Sequence, residues 1–408
     1  MIVKDYIRNF EKMGLGLFVH FGLYSVHGKG EWAYGKSICP EDYECLTERF
    51  SPDPDWAEEL VTAAKSAGCR YITLTTRHHD GFSLFDTCGL NTYDAPHVMG
   101  RDLVREFVDA CRKQDVVPFF YHTLLDWHEP SYRENFPEYL KYLRASVGLL
   151  CQNYGEIGGL WFDGMWDKKE ADWEEDALYG LIRCHQPKAM IINNTGLSAG
   201  GTRGHKEIDA LTFERGRPKK AVDDGEEKYL ATEMCQVFAN HWGYAARDFN
   251  FKSLPEIIED VCICRRYGAN LLLNVGPMGN GKLRALDYAM LMTFGEWVKL
   301  HEEALFLPDP TDIEVEGKTR EFLLKGDGCY YLFAYGLPMK ANPNVELEKS
   351  KPEYRNRFRL SEKIKSVTWL DNGEELSFTQ EGDAATVITK YQPYGEQMVV
   401  KVAKIEVE

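Results

Sequence analysis

The stretch Phe136–Asp163, FPEYLKYLRASVGLLCQNYGEIGGLWFD, decides the fold. From Phe136 to Tyr154 apolar residues recur three and four apart, the spacing of an amphipathic helix, and Gly158 to Asp163 is an apolar run of strand length. The same alternation extends outward from about Leu15 to His301. Further strands are expected at Leu15–His20, Arg70–Thr76, Val116–Thr123, Lys188–Asn194, Ile208–Glu214, Tyr229–Cys235 and Asn270–Val275. Helices are expected at Trp56–Ala64, Asp102–Gln114 and Pro255–Tyr267. Alternation of this kind implies parallel strands joined by crossover helices. Eight strands in about 290 residues fit a closed (β/α)8-like TIM barrel, with a doubly wound open sheet as the alternative.

After Leu307-Pro308-Asp309-Pro310 the texture changes. Tyr330–Tyr335, Ser366–Leu370 and Met398–Val402 are strand-like, with turn signals such as Asp371-Asn372-Gly373 between them. A catalytic barrel over residues 1–307 and a small C-terminal antiparallel β-sandwich domain over 308–408 follow as the expected domains. Histidine is absent from the second, so the chemistry is expected in the first.

The chain has 44% hydrophobic and 27% charged residues, enough for sizeable cores under a polar surface. A net charge of −16 opposes binding to a phosphate backbone, so no nucleic acid partner is expected and the substrate is read as neutral. No apolar run is long enough to span a membrane. The start, Met1-Ile2-Val3-Lys4-Asp5-Tyr6, lacks the apolar stretch of a signal peptide, which points to a cytoplasmic protein. Eleven scattered cysteines without Cys-x-x-Cys spacing read as buried thiols, not as a disulfide framework or a zinc site. Asn193-Asn194-Thr195 matches a glycosylation acceptor but closes an apolar strand, and is read as chance.

In a barrel of this kind, catalytic groups project from the C-terminal ends of the strands. Those ends carry His20, Arg77-His78-His79-Asp80, His122, Asp163, Asn193-Asn194, Glu214, Glu233 and Asn274. Burying so many titratable groups is costly unless they meet a ligand. One such histidine is more often a satisfied core residue; four arriving at one rim reverse that balance. A divalent metal could take His20, His78 or His79, His122 and Asp163 as ligands. A glycosidase needs only two carboxyl groups, with histidines and aromatic rings holding the sugar. A non-catalytic carbohydrate-binding protein is the remaining alternative, with sugar binding but no turnover. Trp32, Trp127, Trp161, Trp166 and Trp242 fall in or near strand-end loops, and their flat faces suit a pyranose. Gly276–Lys282 has phosphate-loop spacing, but Leu283 stands where a hydroxyl must follow and Pro277 removes an amide.

At these residues the sequence resembles the family 29 α-L-fucosidases. Leu17–Val26 resembles the family's first-strand motif, with Phe21 where Trp is usual, and Glu31-Trp32 follows. Leu74–Phe82, with its paired histidines, and Leu160–Gly164 are similar to the two most specific motifs. Asn240–Tyr244, Phe251–Ser253 and Gly268–Pro277 complete the series in order. The resemblance implies a retaining glycosidase without a cofactor, acting on a fucosylated oligosaccharide or glycoconjugate, and leaves a homo-oligomer open. It implies Asp163 as nucleophile and Glu214 as acid/base, with Glu233 the rival for that role. It also implies His20, Glu31, Trp32, His78, His79, His122, Trp161, Arg203 and Trp242 as substrate-binding residues. His122, in Tyr121-His122-Thr123, stands where many members have a second tyrosine.

Overall fold

The computed structural model describes residues 3–195, 200–219, 227–342, 345, 346 and 353–408; Met1 and Ile2, the start of the segment read for a leader, lie outside them. The chain divides into two compact units, Met1–Lys252 with Ala269–Thr293, and Ser253–Gly268 with Phe294–Glu408.

In the first unit β1 (Leu15–Val19), β2 (Tyr71–Arg77), β3 (Val117–Thr123), β4 (Gly159–Asp163), β5 (Met190–Asn193), β6 (Ala210–Glu214), β7 (Ala231–Val237) and β8 (Asn270–Val275) form a closed barrel in chain order. The seam is parallel, with Leu15 opposite Leu271 and Val19 opposite Val275. Closure at that seam excludes the open sheet. The strands are buried almost throughout, because their side chains alternate between the barrel interior and the surrounding helices. The interior is asymmetric. Phe18, Tyr71, Phe119, Tyr121 and Trp161 from β1 to β4 supply rings, against Ala210, Ala231, Cys235 and Leu272 from the later strands. Gly16 is forced by this packing, since a Cβ there would lie 2.4 Å from the Tyr71 ring. The helix Asp5–Met13 adds Ile7 and Phe10 to the same core, the Phe10 ring standing 5.4 Å from that of Tyr71.

Local signals set the helices. Asp102 and Asn135 cap Leu103–Lys113 and Phe136–Asn153 by accepting from the backbone of Arg105 and Glu138. Ser253 and Glu256 make a full capping box on Leu254–Arg266. Two strands depart from expectation. β6 starts two residues late because Asp209 takes its side chain to Arg183, Lys228 and the Ile191 amide, and β5 meets β6 only at Ile192–Ala210. β7 is shifted along the chain and ends at Val237.

The second unit holds a five-stranded sheet in the order Ile364–Trp369, Val400–Val407, Cys329–Tyr335, Phe322–Lys325, Asp309–Glu314, all antiparallel. A three-stranded antiparallel sheet, Tyr354–Arg359, Ala384–Thr389 and Phe378–Glu381, shares its core. Leu332, Val367 and Ile405 of the first meet Phe358, Ala385 and Val387 of the second.

All eleven cysteines are unpaired, but Cys39, Cys45, Cys88 and Cys184 are exposed, contrary to the expectation of buried thiols. Asn193 is fully buried with its amide on the Tyr179 hydroxyl at 3.0 Å, so it offers no acceptor for a glycan. Among the described residues no helix is long and apolar enough to cross a membrane.

Candidate active site

The C-terminal ends of the barrel strands surround a cavity of about 150 Å³, open to solvent. Asp163, the last residue of β4, stands in its wall. Gly164 follows with φ 102, a left-handed turn that a side chain would resist, and leads into the short 3-10 helix Met165–Lys168. That turn brings Trp166 back, and its indole Nε1 donates to Asp163 Oδ1 at 3.2 Å. Asn194 Nδ2 donates to the same oxygen at 3.3 Å. The Tyr121 hydroxyl donates to Oδ2 at 3.3 Å, and His79 Nε2 lies 3.4 Å from Oδ2. Burial alone would raise the Asp163 carboxyl, but His79, Trp166 and Asn194 outweigh it and leave the group below its ordinary value.

Glu214 ends β6 on the same cavity. Its Oε2 accepts from Asn194 Nδ2 at 2.8 Å, so one amide bridges the two carboxylates. Burial raises the Glu214 carboxyl above its ordinary value, and the nearby charge of Asp163 adds to this against the Asn194 amide and the Arg215 cation. The two carboxyls are thus shifted in opposite directions, Asp163 toward the ionised form and Glu214 toward the protonated one.

The histidines are arranged by their neighbours. His20 Nδ1 lies 2.7 Å from Asn274 Oδ1, and Asn274 Nδ2 donates to the Trp242 carbonyl at 2.7 Å. Asn274 therefore offers an acceptor, His20 donates through Nδ1, and Nε2 is left as an acceptor. Burial pushes His20 down to about 3, so it is neutral. His78 is also held well below its ordinary value, by burial with His79 and His20 beside it. Its ring stacks on Tyr121 at 5.6 Å, and its buried Nδ1 has no hydrogen-bond partner among the described residues. His79 Nδ1 lies 2.7 Å from Thr123 Oγ1. Trp32, Trp161, Trp166 and Trp242 complete the wall with Phe18 and Cys235. Trp32 and Trp166 stack at 5.6 Å, and Trp127 meets Trp32 edge-on at 5.4 Å behind them.

Three expected residues lie elsewhere. His122 is fully buried, with Nε2 on Ser146 Oγ at 2.8 Å and Nδ1 on the Thr123 carbonyl at 2.7 Å. Strand alternation explains it: Tyr121 points inward, so its neighbour points to the helix Phe136–Asn153. His122 is a satisfied core histidine. Arg203 is not on the cavity. It sits in the connection returning from the top of β5 to the foot of β6, and Nη1 donates to the Lys228 carbonyl at 3.4 Å, before β7 begins. Glu31 is buried beside the cavity without lining it; Oε2 accepts from the amides of Trp242 and Gly243 at 3.1 and 2.9 Å, fixing the loop that carries the Trp242 wall.

The rival acid Glu233 lies deeper in the barrel. Oε2 accepts from the Tyr71 hydroxyl at 2.5 Å and Oε1 from Trp161 Nε1 at 2.9 Å, and burial pushes the group up to about 7. Lys282 of the phosphate-like loop reaches Asp53 and Glu59 at 3.4 and 3.7 Å, a surface pairing.

Trp166, Asn194 and Asn274 are among the loop and strand-end residues that the sequence marks without a defined role, whereas Tyr121 and Arg215 are not marked as site residues. Tyr121 adjoins His122 and Arg215 adjoins Glu214, and that adjacency is the signal the sequence holds for these two. Among the described residues no group of three or more His, Cys, Asp or Glu side chains is arranged to hold a metal ion.

A family model described as Alpha-L-fucosidase matches residues 3–303. The tissue alpha-L-fucosidase of Rattus norvegicus is 26% identical over 94% of this chain and 85% of its own length. That of Homo sapiens is 25% identical over 80% of this chain and 75% of its own. Alpha-L-fucosidase isoenzyme 1 from Paenibacillus thiaminolyticus superposes with a TM-score of 0.83 at 26% identity, covering 99% of both chains. A Bacteroides thetaiotaomicron alpha-L-fucosidase, solved as a trapped covalent intermediate with 2-fluoro-fucosyl fluoride, gives 0.79 at 21% identity, covering 99% of this chain and 96% of that one.

Proposed function

The chain belongs to the alpha-L-fucosidase family, and from that premise we propose a retaining double displacement on terminal α-L-fucosyl residues of glycans, with Asp163 as nucleophile and Glu214 as acid/base. The observation that carries this reading is the Asn194 bridge. One nitrogen, 3.3 Å from Asp163 and 2.8 Å from Glu214, limits the separation of those two oxygens to about 6 Å. That suits the roughly 5–5.5 Å of retaining enzymes and leaves too little room for the water of an inverting one.

In the first step an Asp163 oxygen bonds to the anomeric carbon while the glycosidic bond breaks, and Glu214 passes its proton to the departing oxygen. In the second, Glu214 takes a proton from water as the water oxygen displaces Asp163. Before attack the Asp163 charge favours protonated Glu214; once Asp163 is esterified that charge is gone and Glu214 can serve as base. Neutral His20 and His78 and the aromatic walls suit the hydroxyls and the apolar face of the fucose ring. In this reading residues 1–307 carry the chemistry, and the C-terminal domain, 308–408, adds none.

The pH dependence has a fixed sign. Activity should rise as Asp163 ionises, below the ordinary aspartate range, and fall as Glu214 loses its proton, above the ordinary glutamate range. A kcat/KM profile on an aryl α-L-fucoside checks this; a profile with no alkaline limb counts against Glu214 as the acid. Excess EDTA should leave that turnover unchanged, whereas loss of activity restored by a divalent metal would favour a metal-dependent hydrolase.

Glu233→Gln separates the rivals. It should cost less than about tenfold in kcat/KM and gain nothing from azide, because Glu233 supports Trp161 from below and meets no leaving group. It also has a stability signature. Glu233 is raised to about 7 in the folded chain, so its stabilising contribution is fully present below its unfolded pKa and is lost as pH rises through about 7. The always-neutral glutamine should therefore gain in Tm relative to the parent between about pH 5 and about pH 8. A difference that stays flat would mean Glu233 is not buried as described.

A further inference from the structure

Two cations stand on the tryptophan walls of the cavity without a carboxylate partner among the described residues. Lys36 Nζ lies 3.6 Å from the centroid of the Trp32 ring and 5.2 Å from that of Trp127. The Arg215 guanidinium lies 5.1 Å over Trp242, and its Nη2 donates to the Asn240 carbonyl at 2.7 Å. Trp32 and Trp242 both line the cavity, and both cations are exposed. Other cations of this chain, Lys12, Lys29 and Lys299 among them, also lack an ion pair among the described residues, but Lys36 and Arg215 stand on rings that line the cavity. Elsewhere on the surface Lys113 reaches Glu58, Lys141 reaches Glu138, and Lys206 reaches Asp176.

Arg215 also has an unusual backbone. Its φ is 52, in the left-handed region that a Cβ makes costly, while its amide donates to the Cys235 carbonyl at 2.8 Å. The strained position comes directly after Glu214, at the point where the chain leaves the barrel wall. A glycine there would relieve it, and Gly216 stands only one residue later. The general acid must touch the leaving-group oxygen, so the exposed side chain next to it borders the path of the aglycone.

We propose that the leaving-group subsite takes an anionic aglycone, a glycan carrying a sulfate ester or a carboxylate near the fucosylated position, recognised by Lys36 and Arg215. This rests on the reading of Glu214 as acid/base. A guanidinium presents paired donors that match either anion, and the ammonium adds a second positive charge on the Trp32 ring. Together they oppose the repulsion that Asp163 and the net charge of −16 exert on an incoming anion. The neutral histidines hold fucose in the same cavity, so the two recognition tasks fall to different residues.

The test compares matched aryl α-L-fucosides with the unmodified enzyme: 3-carboxyphenyl against 3-carbamoylphenyl, and 3-sulfophenyl against 3-sulfamoylphenyl. At low ionic strength the anionic member of at least one pair should exceed its neutral partner by about five- to tenfold in kcat/KM. The ratio should fall toward one at about 0.5 M salt, and the pair with the larger ratio identifies carboxylate or sulfate. Lys36→Gln and Arg215→Gln should each lower the ratio, and Lys36→Arg should keep it. Parity in both pairs, or a ratio that neither glutamine variant moves, would mean the cations only clamp their tryptophans, and overturns the proposal. Failure to turn over the neutral members as well would instead sink the fucosidase reading beneath it.

Discussion

Replacing Asp163 with glycine is expected to reduce turnover of an aryl α-L-fucoside by at least about three orders of magnitude while leaving the chain folded. The side chain makes no contribution to the barrel ladder, which its backbone completes through Thr123 and the Leu124 amide. What is lost is the group that bonds to the anomeric carbon. Four side chains aim at its two oxygens, and they would stabilise a carboxylate awaiting attack better than a structural acid requires. Azide added to the glycine variant should restore part of the rate and yield the β-fucosyl azide, since the small anion attacks from the side that Asp163 leaves vacant. A variant retaining more than about a tenth of parental kcat/KM would show that the nucleophile is elsewhere.

Glu214→Gly should cost about 10² to 10⁴ in kcat/KM on substrates with poor leaving groups and much less on activated aryl fucosides, because a good leaving group needs little protonation. Azide should rescue the second step here and yield the α-fucosyl azide. The opposite configurations of the two rescue products distinguish acid/base from nucleophile without reference to rate. The alkaline limb of the pH profile should disappear with the side chain. Retention of that limb would transfer the acid role to another group, with Glu233 first in line by its raised value of about 7.

Most of the barrel was legible because its strands are dense apolar runs separated by amphipathic helices. β8 falls on Asn270–Val275, the span its composition marks, since a strand buried on both faces admits little else. β6 and β7 were less legible. Asp209 and Lys228 look like strand-edge residues in sequence but spend their side chains on each other at the foot of the barrel. The candidate site followed from strand ends, which places Asp163, Glu214 and the paired histidines together without knowledge of register. His122 shows the limit of that reasoning. Position at a strand end says which rim a residue is near, whereas the side it faces depends on alternation, and Tyr121 took the inward place. Arg203 shows another limit, because a residue between two strands can lie at either end of the connection. Asn194 was visible as a polar strand end, but its role as a bridge depends on the spacing of β4, β5 and β6 around a curved wall, which no linear pattern records. The cations at Lys36 and Arg215 were hidden for a similar reason, since net charge averages over a surface that the fold sorts into paired and unpaired places.

The measurement that bears most directly on this account is mass spectrometry of peptides from enzyme inactivated with 2-fluoro-fucosyl fluoride. The account predicts one fluorofucosyl adduct, on the peptide containing Leu160–Gly164, with fragmentation assigning it to Asp163. An adduct on Glu214, Glu233 or any other residue, or sustained turnover with no adduct formed, would contradict it.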